Sequence, residues 1–508
     1  MTRPNILFVM ADQLAASMLP FHGHPLTRAP HLAALAEGGV VFDNAYCAFP
    51  LCAPSRFSLL TGRLPSRIGA FDNAAEFPAA TPTVAHHLRR AGYRACVAGK
   101  MHFVGPDQLH GFEERITTDI YPADFGWTPS WEAGDESLEW HHSMQNVVEA
   151  GPCARSLQID FDDEVAFAAE RWLYDRARDD DTRPFFMMVS FSHPHDPYTI
   201  TRDYWDLYDH DAVPMPAVGF VPPAERDPHG RRLFDNYDGG RHRVTEAHVR
   251  NARHAYLGMI SYLDDKIGRL MKTLAASGAA DETVVVFASD HGDMLGERGM
   301  WYKMSFREPS ARVPLIVHAP GRFAPRRVAA PVSLVDLFAT LLDLGAAPAA
   351  ASDGHGLGPL LAGGDDWPHP VYGEYLAEAT AAPRFMIRRG RHKYIHGEGD
   401  PPRLYDLDAD PLERVDLAAD AALVAPFAAE VARVWDADAL RDEVINSQRR
   451  RRLVFEALMT GARTLWDHAP RRDPARAYIR NLDTLYGTEA RARLPDRRPP
   501  SPTMGKNV

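Results

Sequence analysis

Three unbroken apolar runs punctuate the chain, and each ends on polar residues. Residues 5–10 (NILFVM) run into Asp12, residues 184–192 (PFFMMVSFS) into His193-Pro194-His195, and residues 283–288 (TVVVFA) into Ser289-Asp290-His291. A continuous apolar run of this length predicts a strand buried on both faces, as in a parallel sheet. In open α/β sheets the working groups lie beyond the carboxyl ends of the strands. Asp12, His195 and the Asp290-His291 pair are therefore expected at one rim. Between the strands, residues 31–37 and 84–91 predict short helices stopped by glycine. Residues 248–277 predict a long amphipathic helix carrying Tyr256, Met259, Ile260, Leu263, Ile267 and Leu270 on one side. The alternation predicts an α/β fold, with a large, mostly parallel sheet flanked by helices.

The pattern changes after an Ala-, Gly- and Pro-rich stretch at 346–366. Residues 385–388 and 392–395 flank Arg389-Gly390 as an antiparallel pair, and 403–407 add a strand before the Asp410-Pro411 turn. From about Ser447 the chain is Arg-rich and helical, then ends in a Pro-rich stretch, Leu494–Thr503. Three units are expected: a catalytic domain over 1–365, a smaller C-terminal α+β unit over 366–446, and an extension over 447–508.

At 508 residues the chain exceeds what one core usually serves. Its formal charge of −12 argues against a nucleic-acid partner, which needs a basic face. No run is long enough to cross a membrane or to act as a secretory leader. Four scattered cysteines (Cys47, Cys52, Cys96, Cys153) do not make a disulfide framework, so a cytoplasmic location is expected.

The sharpest local signal is Cys52-Ala53-Pro54-Ser55-Arg56, followed by Leu59-Leu60-Thr61-Gly62-Arg63. Its C-x-P-S-R core resembles the signature of the type I sulfatases, members of the alkaline phosphatase-like superfamily. Gly99-Lys100-Met101-His102 resembles their G-K-x-H element; His195 and Lys303 match further family positions. The resemblance implies that Cys52 is oxidised by a maturation enzyme to formylglycine, whose hydrate attacks sulfur. A serine would instead leave a sulfated enzyme awaiting slow hydrolysis. Asp12, Asp290, His291 and the modified Cys52 would hold a divalent metal. That donor set suits calcium, with magnesium or manganese as alternatives, although a histidine is unusual for calcium. Gln13 and His291 stand where many sulfatases carry Asp and Asn. Arg56 and Lys100 would neutralise sulfate, His102 would take the proton that triggers its release, and His195 with Lys303 would serve the leaving oxygen. His193 competes with His195 for that role.

Residues 99–127 (GKMHFVGPDQLHGFEERITTDIYPADFGW), 203–208 (DYWDLY) and 372–378 (YGEYLAE) are similar to bacterial choline sulfatases, as is the segment around Tyr478–Asn481. The likeness implies choline sulfate as the small-molecule substrate and a homotetramer as the assembly. A quaternary ammonium accepts no hydrogen bond, so aromatic faces and carboxylates are its partners. Trp127 and Glu374 are assigned to it, His142 to the pocket, Asn73 to sulfate, and Asp483 to a site shared with a neighbouring subunit. Ser143 departs from the Asn expected there. Two readings compete: a phosphonate monoester or phosphodiester hydrolase or broader arylsulfatase of the same superfamily, and a metal- and anion-binding pseudoenzyme with Cys52 unmodified.

Overall fold

The structure is a computed structural model describing residues 3–121, 123–133, 142–462 and 484–495. The three apolar runs form strands Asn5–Ala11, Phe185–Ser190 and Thr283–Ser289, all fully buried apart from Asn5. The first is the middle strand of the three, parallel to both others, with Met10 opposite Ser190 and Ala11 opposite Ser289. This register sets Asp12 and Asp290 side by side.

These strands belong to an eight-stranded sheet. Across it run Arg326–Val328, Val40–Phe42, Leu315–His318, Thr283–Ser289, Asn5–Ala11, Phe185–Ser190, Arg94–Gly99 and Glu114–Arg115. Only Leu315–His318 runs antiparallel to both of its neighbours. The chain reaches it through residues 290–314, which carry only the short helical turns Glu297–Gly299 and Glu308–Ala311. Gly99 ends its strand with φ at +95°, and a Cβ there would meet the Ser190 carbonyl oxygen at 1.9 Å. That close approach lets the Lys100 amide donate to the same carbonyl at 3.0 Å, fixing Lys100 at the rim.

The long helix spans Glu246–Ala276, starting slightly before the apolar pattern does. Thr245 and His248 form a capping box there, which satisfies amides that hydrophobic periodicity cannot see. Helices pack on the sheet as expected, with Leu157–Arg178 also lying against the long helix.

A second, four-stranded antiparallel sheet comprises Val371–Tyr375, Arg384–Arg389, His392–Gly397 and Asp400–Asp406. Helices Ala421–Val434 and Ala437–Met459 follow. The latter begins well before Ser447 because Asp436 caps it, accepting from the Ala439 amide at 3.0 Å. A last helix, Leu485–Ala492, leads to Leu494–Pro495, which pairs with residues 153–155. All four cysteines are buried and free. Among the described residues no helix is long and apolar enough to cross a membrane.

Candidate active site

Cys52 opens the helix Cys52–Thr61, which aims its amino end at the rim of the large sheet. Asn73 reaches across to cap that helix, its Oδ1 accepting from the Ala53 amide at 3.0 Å. Around the Cys52 sulfur stand His291 Nε2 at 3.2 Å, Lys100 Nζ at 3.6 Å and Asp12 Oδ1 at 3.9 Å. Arg56, one turn along the helix, donates from Nε to Asp290 Oδ2 at 2.9 Å and from Nη1 to Ser190 Oγ at 2.8 Å. Its Nη2 lies 3.5 Å from Asp12 Oδ2, which Lys100 Nζ also contacts. Asp12, Arg56, Lys100, Asp290 and His291 are all 0% exposed.

Burial and the facing Cys52 oppose ionisation of Asp12, but Lys100, His195 and Arg56 overcome them and hold its carboxyl below the ordinary value. Burial likewise opposes a thiolate at Cys52, yet Lys100, Lys303 and His291 pull the thiol well down. Burial of His291 is outweighed by Asp290 and Cys52, which raise it.

One donor atom from each of Asp12, Cys52, Asp290 and His291 lies within 4.8 Å of all the others, a spacing that fits one metal ion. The carboxylates supply hard oxygens and the imidazole a borderline nitrogen. The Cys52 sulfur marks where the oxygens of a modified residue 52 would stand. The Lys100 ammonium pairs with Asp12 at the edge of this cluster.

Opposite this floor, Lys303 Nζ lies 2.7 Å from His195 Nε2 and donates to Gln13 Oε1 at 2.5 Å. His195 Nδ1 sits 2.7 Å from the Asp196 carbonyl and 3.0 Å from the Tyr121 hydroxyl. These partners suit an imidazole protonated on Nδ1, with Nε2 turned to Lys303. His193 is instead held away, its Nδ1 2.7 Å from Asp162 Oδ2 and its ring against Tyr262 at 4.6 Å. The geometry thus separates the two histidines that spacing left open.

His142 is buried against Tyr302 at 4.7 Å between ring centres, with Nδ1 3.6 Å from Asp196 Oδ2. Burial, then Lys303, pull its imidazole down to about 4, so it is neutral here. The neighbouring Ser143 accepts from the Tyr302 hydroxyl through its carbonyl at 2.6 Å, so its contact to this wall runs through the backbone. The His102 ring meets the Asn73 carbonyl at 3.2 Å and Trp127 edge-on at 5.7 Å. Gln13, His102 and Tyr302 all have φ near +60°, a left-handed conformation rare for such residues. Strain of this kind concentrates at working sites.

One assigned residue, Glu374, is not brought here. Glu374 is saturated elsewhere, its carboxylate accepting from the Ser66 amide and hydroxyl, each at 2.7 Å, and from Trp435 Nε1 at 2.6 Å. No site residue is among these partners. The strand Val371–Tyr375 turns that side chain toward Ser66 and Trp435, and beyond its end the chain leaves the sheet. There Glu378 is buried beside Tyr375, and burial, then Asp72, push its carboxyl up to about 8. Asp483, with the Tyr478–Asn481 segment, lies outside the described residues.

Several participants have no role assigned to them by the sequence. Gln13 donates to Asp293 Oδ2 at 2.6 Å and Asp196 Oδ1 at 3.2 Å, linking the metal cluster to Lys303. Its signal was its place directly after Asp12. Asp72 takes both Nη1 and Nη2 of Arg451, at 2.6 and 2.7 Å, so the helix Ala437–Met459 braces the site wall. Glu489, on the last helix, is buried; Asp196 adds to that burial in raising its carboxyl far above the ordinary range, and Arg493, Lys100 and Lys303 offset only part of the rise. Glu378 was visible as the second acid of the YGEYLAE run.

A rim of parallel strands, a capped Cys-x-Pro-Ser-Arg helix start and a cation-seeking carboxylate pair together describe a sulfatase centre. The sulfatase family pattern matches residues 4–347, the pattern for the choline sulfatase enzyme C terminal matches 442–494, and that for the N-sulphoglucosamine sulphohydrolase C terminus matches 296–433. A choline-sulfatase of Rhizobium meliloti (strain 1021) is 47% identical over 500 residues, covering 95% of this chain and 97% of that protein. An arylsulfatase of Clostridium perfringens is 27% identical over 82% of this chain and 90% of its own length. The crystal structure of a phosphonate monoester hydrolase of Agrobacterium radiobacter superposes with a TM-score of 0.67 at 26% identity, covering 87% of this chain and 96% of that one. The chain belongs to the sulfatase family, and within it to the choline sulfatases.

Proposed function

We propose that this protein hydrolyses choline sulfate to choline and sulfate, using a formylglycine made from Cys52. The observation that carries this reading is the cluster of Arg56, Lys100, Asp12, Asp290 and His291 around the Cys52 sulfur, in a chain similar throughout to a choline-sulfatase.

Residues 12, 52, 290 and 291 would hold the metal, read as calcium, with magnesium or manganese as alternatives. When bound, it would supply Lewis acidity to the hydrated residue 52, whose one oxygen attacks sulfur while loss of a proton from the other expels sulfate. The chain's own groups do the rest. Arg56 and Lys100 offer positive charge on the floor, which stabilises charge gathering on the sulfuryl oxygens. His102 stands ready to take the proton that releases sulfate. The pair of Lys303 Nζ and His195 Nε2 can hand a proton to the departing alcohol oxygen, while Gln13 and Asp196 keep that pair in place. Asn73 positions the helix start through its Oδ1, and its amide nitrogen would donate to sulfate.

For the cation, Trp127 supplies an aromatic wall beside His102, and His142 shapes the same pocket. Glu378 takes the place first given to Glu374, because a quaternary ammonium beside it would offset the cost of burying its charge. Residues 366–446 are read as a separate small unit. Residues 447–508 are read as an extension between subunits of a homotetramer, with Asp483 shared across it; Leu453, 68% exposed on the helix Ala437–Met459, supports a covered face there. A cytoplasmic maturation enzyme would convert Cys52.

The test is a comparison of kcat/KM for choline sulfate, an aryl sulfate and a phenyl phosphonate ester on the metal-loaded protein, with mass analysis of the tryptic peptide containing residue 52. Choline sulfate should be turned over fastest and the peptide should carry the aldehyde. Turnover no better than for the aryl sulfate would sink the choline assignment. Preference for the phosphonate would favour the activity of the Agrobacterium neighbour.

A further inference from the structure

The segment that presents Lys303 to the active site also lines a second cavity, of about 250 Å³, through Met294, Met300 and Arg307. The helix Pro228–Asn236 and the four-stranded sheet close its other sides, and no active-site residue lines it. Its lining carries Arg226, Arg298, Arg307, Arg384, Arg403 and Arg414.

Three of these guanidiniums are matched. Arg307 pairs with Asp227 at 3.4 Å, Arg403 with Asp416 at 2.7 Å, and Arg384 with Asp400. The lining Glu413 is engaged by Lys393 at 2.7 Å. The other three have no carboxylate at ion-pair distance among the described residues, although Asp227 and Asp235 act on Arg226 from farther off, and Glu413 and Asp227 on Arg298. Arg298 donates to the carbonyls of Leu412 and Glu413, and Arg414 to that of Ala217 at 3.1 Å. Arg226 is only 8% exposed, yet its Nε and Nη2 have no hydrogen-bond partner among the described residues. It rests on the rings of Phe234 and Phe220, at 4.6 and 5.3 Å, which offset part of that cost. A buried guanidinium with idle donors is expensive to keep. Among the described residues Glu225 is the one lining carboxylate without a cationic partner, so three unmatched cations against one anion leave an excess of two positive charges.

We infer that this cavity binds a small tetrahedral dianion, sulfate or phosphate, through Arg226, Arg298 and Arg414. A dianion matches the charge excess and gives the planar Arg226 fork the acceptors it lacks. An occupant there would contact Ser305, Phe306 and Arg307, which follow Lys303 in the chain.

Calorimetric titration of the full chain with inorganic sulfate, and separately with inorganic phosphate, tests this. A Lys100→Ala variant weakens the active-site competitor and should still bind about one equivalent. Arg226→Met and Arg298→Gln should each weaken that binding roughly tenfold or more. If the buried Arg226→Met fails to fold, the half-buried Arg298→Gln carries the measurement. Crystals soaked in selenate should show an anomalous peak between Arg226 and Arg298. Binding unchanged in a folded variant, or a peak confined to Arg56 and Lys100, would overturn the inference. Whichever of sulfate and phosphate binds more tightly identifies the source of the occupant.

Discussion

The floor and the wall of the active site are built in opposite ways. The floor is Cys52, Asp12, Arg56, Lys100, Asp290 and His291, hung on strand ends of one sheet and one helix start, with no side chain open to solvent. The wall is Trp127, His142, Tyr302, Glu378 and Glu489, drawn from loops, the edge of the second sheet and the last helix. Charges in the floor are densely cross-paired, as a fixed chemistry needs. Those in the wall include a carboxyl pushed up to about 8, whose environment favours the neutral form until something positive arrives. On the proposed reading, reaction type is set by the sheet, and the choice of leaving group by segments that can change without disturbing it.

The largest effect should come from the floor. If residue 52 is the proposed formylglycine, Cys52→Ser keeps a nucleophile but removes the second hydroxyl that would expel sulfate. Turnover should fall about 10⁴-fold or more, and intact mass should show the variant accumulating with sulfate esterified at position 52. A variant that still turns over would show that residue 52 is not the nucleophile. Next, His195→Gln removes the proposed proton-transfer group at the junction of floor and wall. We expect a loss of kcat of roughly 10²–10⁴ on choline sulfate, and much less on an aryl sulfate, whose leaving oxygen needs little help. Equal losses on both would place His195 in sulfur chemistry rather than with the leaving group.

The brace of the wall comes third. Arg451→Met strands the buried Asp72 carboxylate and should cost about 3–5 kcal/mol of stability by denaturant unfolding. Trp127→Leu should be milder, raising KM for choline sulfate by roughly 2- to 30-fold. KM for an uncharged aryl sulfate should hardly move.

The same division explains what the sequence disclosed. The floor follows from unbroken apolar runs, because a buried parallel strand must be apolar throughout and deliver its first polar residue at its end. Asp12, His195 and Asp290 were placed that way, and Gly99-Lys100 and Cys52-Arg56 by local motif. The wall depends on contacts across hundreds of residues, such as Asp72 with Arg451, that no local period encodes. Glu374 shows the limit. Its run carries two acids, and where each of them points depends on where the strand Val371–Tyr375 ends and which way its pleat turns. The choice between His193 and His195 likewise rests on Asp162, a residue of a distant helix.

The smallest effect is the most discriminating for the wall. Glu378 has an ordinary carboxyl value of 4.5 and is pushed up to about 8 in the folded protein. Between those values the folded chain keeps a proton that the unfolded chain has lost. Stability from this group is therefore fully present below about 4.5 and is lost as pH rises through about 8. Glu378→Gln should flatten that alkaline decline, and chemical denaturation at a series of pH values reads it directly. A choline cation beside the carboxylate should favour its ionised form, so KM for choline sulfate should fall as pH passes about 8 in the parent and stay level in Glu378→Gln. Should the stability profile flatten while the KM profile does not change, Glu378 is a buried acid that braces the wall, and the ammonium lies elsewhere. Should both change together, the cation pocket is centred on the end of the strand Val371–Tyr375, in the second sheet rather than the one that carries the metal cluster.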